Sequence, residues 1–422
     1  MITLHEIARR KSPTYNCRSI QLSVAAFVSA FTLIFFVSGC GGSGSPGTTT
    51  LPPGLPQPPT PAAINTYTGS QSPGIATVTL NDTANTFSYT AVPSESTTVS
   101  TTTGTTASAN GFLKLTSANA NAAGYALEIP GRLALLRPGD STAALVAAVP
   151  STSCLPIGGY VTFLLSSMAE ATGGNEDYGQ IVASTSTNGA SYTFGDQFHY
   201  IVEEVPKQQL DTVPTSFSAA CATNNGVAAI TVPATNAVPV SPTIWIGPSG
   251  FFVEDQTGIS TTNNQEPEAS LVGVPEPSAS LTTSAIAAGT YLGFSSPAVN
   301  SVTTTYLVSF GASSSSTTSL AGGAFSSDDP TQTAATNITI SFGAQDSSLY
   351  GYYPSVTVTE PDPNQNCKTD GGTPGYDVNQ NPICTSPAIA VVSNPEGKYA
   401  IFLSEQDYAL GNAFVGYFLL QQ

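Results

Sequence analysis

From Ile64 to the end of the chain, apolar residues come in short runs separated by Gly, Pro, Asn and Asp, and no stretch sustains the 3.6-residue period of a helix. This pattern predicts an all-β protein built from antiparallel strands. One hairpin is explicit in ATVTLNDTANTFSYT. Val78 and Leu80 alternate with Thr, the NDTAN segment turns the chain, and Phe87 and Tyr89 alternate with Ser and Thr on the return. A second ribbon is predicted in QIVASTSTNGASYTFGDQFHYIVEE, turning at Asn188-Gly189. The chain closes on AIAVVSNPEGKYAIFLSEQDYALGNAFVGYFLLQQ, which reads as three strands, the last of them tied into a sheet. The polar stretches beginning at Ser94 (SESTTVSTTTGTTASAN) and Gly311 (GASSSSTTS) read as long exposed loops.

The pattern G-x-Y-x-x-F occurs at Gly158-Tyr160-Phe163, Gly289-Tyr291-Phe294 and Gly397-Tyr399-Phe402. Side chains three apart on a strand point to opposite faces, so both faces of these strands are apolar. That suits a sandwich, or a barrel that also packs against a neighbour. The expected architecture is at least two antiparallel β-sandwich or β-barrel units, placed at residues 64–280 and 281–422. The string PEPSAS after an apolar run marks the boundary. A β-propeller is the alternative, since about 350 residues of short strands also suit six or seven blades.

Ahead of this region lies a different pattern. A basic head with Arg9, Arg10, Lys11 and Arg18 precedes the apolar run Ile20 to Val37, which ends in Val37-Ser38-Gly39-Cys40. Basic head, apolar middle and small residues at the end describe an export signal over residues 1–39. The VSGC string resembles the lipobox of bacterial lipoproteins. That resemblance covers the first 40 residues only. It implies cleavage before Cys40 and acylation of its sulfur and new amino group with palmitate-like chains, each buried methylene adding about 0.8 kcal/mol of membrane affinity. In that class an Asp after the cysteine marks retention at the inner membrane. Here Gly41 follows, so the implied destination is the outer membrane where the cell has one. An uncleaved membrane helix is the alternative reading of the apolar run. Residues 40–63, mixing Gly/Ser with Pro-rich segments, read as a tether.

Charge sharpens the class. Only 9% of the 422 residues are Asp, Glu, Lys or Arg, and the net charge is −17. Removing residues 1–39 takes away four basic residues and Glu6, leaving 6 basic and 26 acidic side chains and a net −20. Such a chain repels a phosphate backbone, so nucleic acid is excluded as a partner. Its 40% hydrophobic content builds cores and excludes disorder. Of six cysteines, Cys17 leaves with the signal and Cys40 is the lipid site. The remaining four admit three pairings, of which Cys154 with Cys221 and Cys367 with Cys384 keep each bridge inside one proposed unit. Zinc is the competing reading, but no Cys-x-x-Cys pair occurs and one histidine remains.

Catalytic signatures are absent from the mature sequence. A Ser-His-Asp triad would need His199, which sits in the strand-like FGDQFHYIVEE, and Gly247-Pro248-Ser249-Gly250 is not a nucleophile elbow. A hydrolase built on paired carboxylates would draw on Glu176-Asp177, Glu203-Glu204, Glu254-Asp255 or Asp328-Asp329, yet adjacent strand residues face opposite ways and cannot be each other's partner. Trp245, between Ile244 and Ile246, reads as core. The most suggestive constellation is EPDPNQNCKTDGGTPGYDVNQNPIC. It places Asp362, Asn364 and Asn366, then Asp377, Asn379 and Asn381, at alternate positions around Asp370. Alternate Asx residues are how calcium loops wrap a hard cation, but Asp and Asn equally close turns on their own backbone. Either Ca²⁺ or no cofactor is implied.

Together these features point to a lipid-anchored envelope or surface protein that binds a glycan, an apolar ligand or another envelope protein without catalysis. A polysaccharide hydrolase and a purely structural envelope component are the alternatives.

Overall fold

The computed structural model describes residues 64–422 apart from 72–73, 93–98, 119–123, 141, 144, 155–159, 168–174, 186–190, 203–204, 211–214, 232–242, 256–269, 300–301, 336, 348–349, 368–371, 395–396, 408 and 410–412; between 160 and 218 it describes the backbone. Residues Thr48–Gln422 form one compact unit. Three antiparallel sheets, each contiguous in sequence, make up its described part.

The first sheet comprises β1 (Ile64–Ser70), β2 (Ile75–Asn81), β3 (Thr86–Val92), β4 (Ser100–Ala109), β5 (Phe112–Ser117), β6 (Gly124–Ile129), β7 (Leu133–Arg137) and β8 (Val146–Val149). Each strand pairs with the next and β8 returns to β1, closing an eight-stranded barrel. The second comprises β9 (Tyr160–Ser167), β10 (Asn175–Thr185), β11 (Ser191–Val202), β12 (Val205–Leu210), β13 (Thr215–Asn224), β14 (Val227–Thr231), β15 (Thr243–Ile246), β16 (Phe252–Asp255) and β17 (Ser270–Pro275). Here β10 pairs with both β9 and β11, bringing the two ends of the sheet together, with β12 outside.

After the one-turn helix α1 (Thr283–Ala287), the third sheet runs through β18 (Tyr291–Val299), β19 (Val302–Thr303), β20 (Tyr306–Ala312), β21 (Ser319–Ala324), β22 (Ile338–Phe342), β23 (Tyr352–Pro361), β24 (Thr373–Tyr376), β25 (Pro382–Ser393), β26 (Ala400–Asp407) and β27 (Ala413–Gln421). Pairing of β27 with β18 closes a ring of eight, leaving β19 and β24 outside it. The all-β class and the barrel architecture are thus established. The propeller alternative is overturned, because its blades are separate open sheets, whereas here strand pairing runs continuously around closed rings.

Strand alternation explains why the rings stack. Along β7, Ala134 and Leu136 point into the first barrel beside Tyr67, Val78, Leu80, Phe87 and Tyr89, while Leu133 and Leu135 point outward into a second core. Along β26, Ile401 and Leu403 fill the third barrel, and Ala400 and Phe402 join that same outer core. The outer core also takes Trp245, Val253, Val272 and Val274 from the second sheet, so all three sheets share it. Phe112 of β5 stands edge-on to Phe294 of β18 at 5.9 Å and to Phe325 at 6.0 Å. Two of the three Tyr-x-x-Phe instances follow this arrangement: Tyr291 and Tyr399 face the third barrel's interior and Phe294 and Phe402 the shared core, while the side chains of Tyr160 and Phe163 lie outside the described residues. Both interiors are filled by their own side chains, as an eight-stranded barrel requires. Helix α1 seats Ile286 in the third barrel's core, and the Tyr291 hydroxyl donates to its carbonyl at 2.7 Å.

The first predicted hairpin forms as read, with Val78 opposite Tyr89 and Leu80 opposite Phe87. The Thr-rich stretch after Ser94 departs from expectation. Residues 100–109 are strand β4, every residue exposed or half-exposed, because β-branched Thr favours a pleated backbone whether or not a face is buried. It turns into β5 through Asn110 and Gly111, both at positive φ (48° and 87°), the pair that a two-residue hairpin turn demands.

Candidate functional site

The segment that carried the calcium reading is a projection from the third barrel. Strand β25 is long enough to be shared: its second half pairs with β26, and its first half, beyond the ring, pairs with β23 on one side and β24 on the other. Strand β24 has no partner other than β25 among the described residues. Asp362 and Asp377 stand at the same end of these three strands on either side of β25, about 10 Å apart by strand spacing.

Each carboxylate is turned onto its own backbone. Asp362, buried, accepts from the Asn366 amide at 2.9 Å and the Cys367 amide at 3.2 Å. Asp377 accepts at Oδ1 from the Asn379 and Asn381 amides at 2.8 and 2.7 Å, and at Oδ2 from the Asn381 side-chain amide at 2.9 Å. Hydrogen bonds from Asn381, then from Asn379, hold the Asp377 carboxyl below the usual carboxylate range. Asn366 in turn donates from Nδ2 to the Ala409 carbonyl at 3.0 Å, tying the loop to the β26–β27 connection. The alternate Asx spacing therefore closes turns, and among the described residues no three Asp, Glu, His or Cys side chains gather as an ion would need. Asp370 lies outside the described residues, and Asn364 is exposed.

Cys367 and Cys384 are bonded at the base of the projection, with Cα atoms 5.5 Å apart. Cys154 is bonded to Cys221, Cα atoms 5.9 Å apart, tying the chain that leaves β8 to β13. Among the polar residues that the projection exposes, two large apolar side chains stand in solvent: Tyr376 is 59% exposed and Val378, at the tip, 95% exposed. Sequence reading passed over these two because Tyr and Val in a strand-like run are ordinarily core.

Of the four carboxylate doublets, the two whose side chains are described do not form a reaction centre. Glu254 and Asp255 are both buried on β16, facing opposite ways, and Asp255 accepts from Ser70 Oγ at 3.0 Å. Asp328 is paired with Arg137. Asp329 caps its own turn through the Thr331 amide (2.9 Å) and hydroxyl (2.8 Å), which lower its pKa. Glu203 and Glu204 lie outside the described residues, as do the side chains of Glu176, Asp177 and His199. Ser249 is buried in the turn between β15 and β16, and Trp245 is 2% exposed in the shared core. Cys40 and residues 1–63 lie outside the described residues.

Two polar clusters were not legible in the sequence. Arg137, fully buried, reaches from the first barrel to the third: Nη1 donates to Asp328 Oδ1 at 2.6 Å and to the Thr305 carbonyl at 2.7 Å, Nη2 donates to Asp328 Oδ2, and the guanidinium lies 5.5 Å from the Tyr125 ring centre. Within the first barrel, the Tyr67 hydroxyl donates to Glu128 Oε2 at 2.8 Å and accepts from the Gly131 amide at 2.9 Å. Burial pushes the Glu128 carboxyl up, and burial with the neighbouring Glu128 pushes Tyr67 up.

No family model matches the chain, and no curated protein does. Among solved structures, it is similar to the isotype 1 transferrin binding protein B of serogroup B Neisseria meningitidis, at 12% identity and a TM-score of 0.23, covering 83% of this chain and 66% of that one. It is likewise similar to a Trp-176-Ala mutant of transferrin binding protein B from Haemophilus parasuis Hp5, at 10% identity and a TM-score of 0.23, covering 84% of this chain and 66% of that one. The chain thus spans just under two thirds of each of these proteins.

Proposed function

We propose that this protein is a noncatalytic binding protein displayed on the cell envelope, anchored through acylated Cys40 and held off the lipid by the tether of residues 40–63. The observation that carries the binding role is the projection on the third barrel. A disulfide and two self-satisfied Asx turns fix a surface hairpin whose end exposes Tyr376 and Val378 among polar residues. Loops on a rigid scaffold are where binding residues concentrate, and a fixed loop loses little entropy when a partner arrives. The first and third barrels are filled by their own side chains, which argues against an apolar ligand held inside either of those two.

Two measurements test the proposal. Cys40→Ala should abolish palmitate incorporation and release the protein from the membrane fraction; retention of label would refute the anchor. Residues 48–422, offered soluble polysaccharides and envelope proteins, should bind saturably without releasing reducing ends. Release would establish a hydrolase instead.

A further inference from the structure

We propose that the tip of the β24–β25 hairpin is the binding hot spot, Tyr376 and Val378 entering an apolar pocket rimmed by Lys or Arg on a folded protein partner. This rests on the binding reading above and names the surface and partner chemistry.

Three features converge on the tip. First, its exposure is unusual in kind: two large apolar side chains, Tyr376 at the end of β24 and Val378 in the turn that follows, stand in solvent on either side of one residue, Asp377. Tyr is enriched at hot spots because it offers wide contact area and a polar end for few rotatable bonds. Second, the tip is fixed far beyond what a solvated turn requires. Asp377 takes three donors, the Asp377 amide donates back to the Asn381 carbonyl at 3.0 Å, and the Cys367–Cys384 bridge with the Asn366–Ala409 bond clamps the base. Preorganisation of this kind raises affinity by removing the ordering cost of binding. Third, the charge selects the partner. Residues 360–384 carry four acidic side chains against Lys368; Asp362 is turned inward, and Asp377, its pKa lowered by the hydrogen bonds from Asn381 and Asn379, keeps its charge at the tip. An ionised carboxylate between the two apolar groups opposes insertion into lipid and favours a pocket with basic residues at its rim.

The test uses the full-length chain in the cells that produce it, with a photo-crosslinking phenylalanine analogue at Val378. A control carries the analogue at Val99, an exposed apolar residue (59%) next to β4 of the first sheet. The expected result is one discrete protein adduct from position 378. Its cross-linked peptide should border Lys or Arg, and Tyr376→Ala should reduce its yield at least about tenfold with the melting temperature unchanged. Raising the salt from 50 to 500 mM should weaken it, and Asp377→Asn, which keeps the turn's acceptor, should remove that salt dependence. Adducts to lipid from position 378, or a protein adduct indifferent to Tyr376→Ala, overturn the proposal. An adduct from position 99 alone overturns the hot spot while leaving the binding role in place, and adducts from neither position overturn both.

Discussion

Arg137 offers the sharpest test of how the barrels are held together. Its guanidinium is fully buried while Asp328, its partner 191 residues away, is 30% exposed. The two halves of the pair should therefore behave differently. Asp328→Asn leaves a buried cation facing a neutral amide, and removing one member of a buried pair costs about 3–5 kcal/mol. Because Asn retains one acceptor and the site is partly wet, the lower end, about 3 kcal/mol, is expected. Asn is also the right replacement because Asp328 sits at φ 56°, a conformation Asn tolerates and Ala does not. Arg137→Met removes the cation itself; Asp328 can then turn to water, and the cost falls to about 1–2 kcal/mol for the Thr305 carbonyl left without its donor. The double variant should cost little more than Arg137→Met alone, giving a coupling of about 3 kcal/mol. Urea unfolding of residues 48–422 measures each value, followed by fluorescence of Trp245, the only tryptophan and a reporter of the shared core. If Asp328→Asn costs less than about 1 kcal/mol, the pair is behaving as a hydrated surface ion pair and the reasoning fails.

Four further outcomes follow from the same contacts. Phe294→Ala should cost about 3–5 kcal/mol and keep a single unfolding transition, because the ring joins a core common to all three sheets; two separated transitions in calorimetry would contradict that. Loss of the Cys154–Cys221 bridge, closing 67 residues, should cost about 4 kcal/mol and loss of Cys367–Cys384, closing 17, about 3 kcal/mol on the loop-entropy model, read as denaturation midpoints of the Cys→Ser pairs. Glu128 holds its proton more tightly folded than unfolded, so it favours the folded state on the acid side and that advantage is lost as pH rises through its raised folded pKa. Glu128→Gln should flatten the fall in stability above pH 4.5, and an unchanged pH profile would show the carboxyl is not the source. Millimolar Ca²⁺ should leave the melting temperature where a chelator leaves it, since Asp362 and Asp377 already accept backbone donors; a rise of several degrees would restore the calcium site.

What the sequence disclosed and what it hid divide along one physical line. Pairings set by local alternation were legible: Val78, Leu80, Phe87 and Tyr89 specify their hairpin, and the Tyr-x-x-Phe spacing specifies strands buried on both faces. The β4 strand was misread because its signal is propensity without burial, and a run of Thr and Ser is written the same way in a loop. Apart from the cysteine pairs, contacts between residues far apart in the chain left no trace. Nothing near Arg137 announces Asp328, and nothing near Asp362 decides between an ion and its own backbone. Tyr376 and Val378 were hidden for the opposite reason, since their exposure depends on β25 outrunning the barrel, which only the pairing of β23, β25 and β26 reveals.

The scarcity of charge has a structural cause that also bears on where function sits. A strand with a barrel interior on one face and the shared core on the other has no wet face, and β7 and β8 accordingly bury every residue. Charge there is admitted only when paired, as Arg137 is. The solvent-facing side of the first barrel takes uncharged Thr and Ser instead, with Thr66 bonded across to Thr79 and Thr90 to Thr101. Other acidic residues sit in turns, where Asp140, Asp329 and Asp377 each close a short loop and have their pKa lowered by the hydroxyl and amide donors they accept. The same exclusion that makes the barrels poor in chemistry thus concentrates charge and fixed backbone at their rims. The hairpin bearing Tyr376 and Val378 is where that fixed backbone also carries exposed apolar surface.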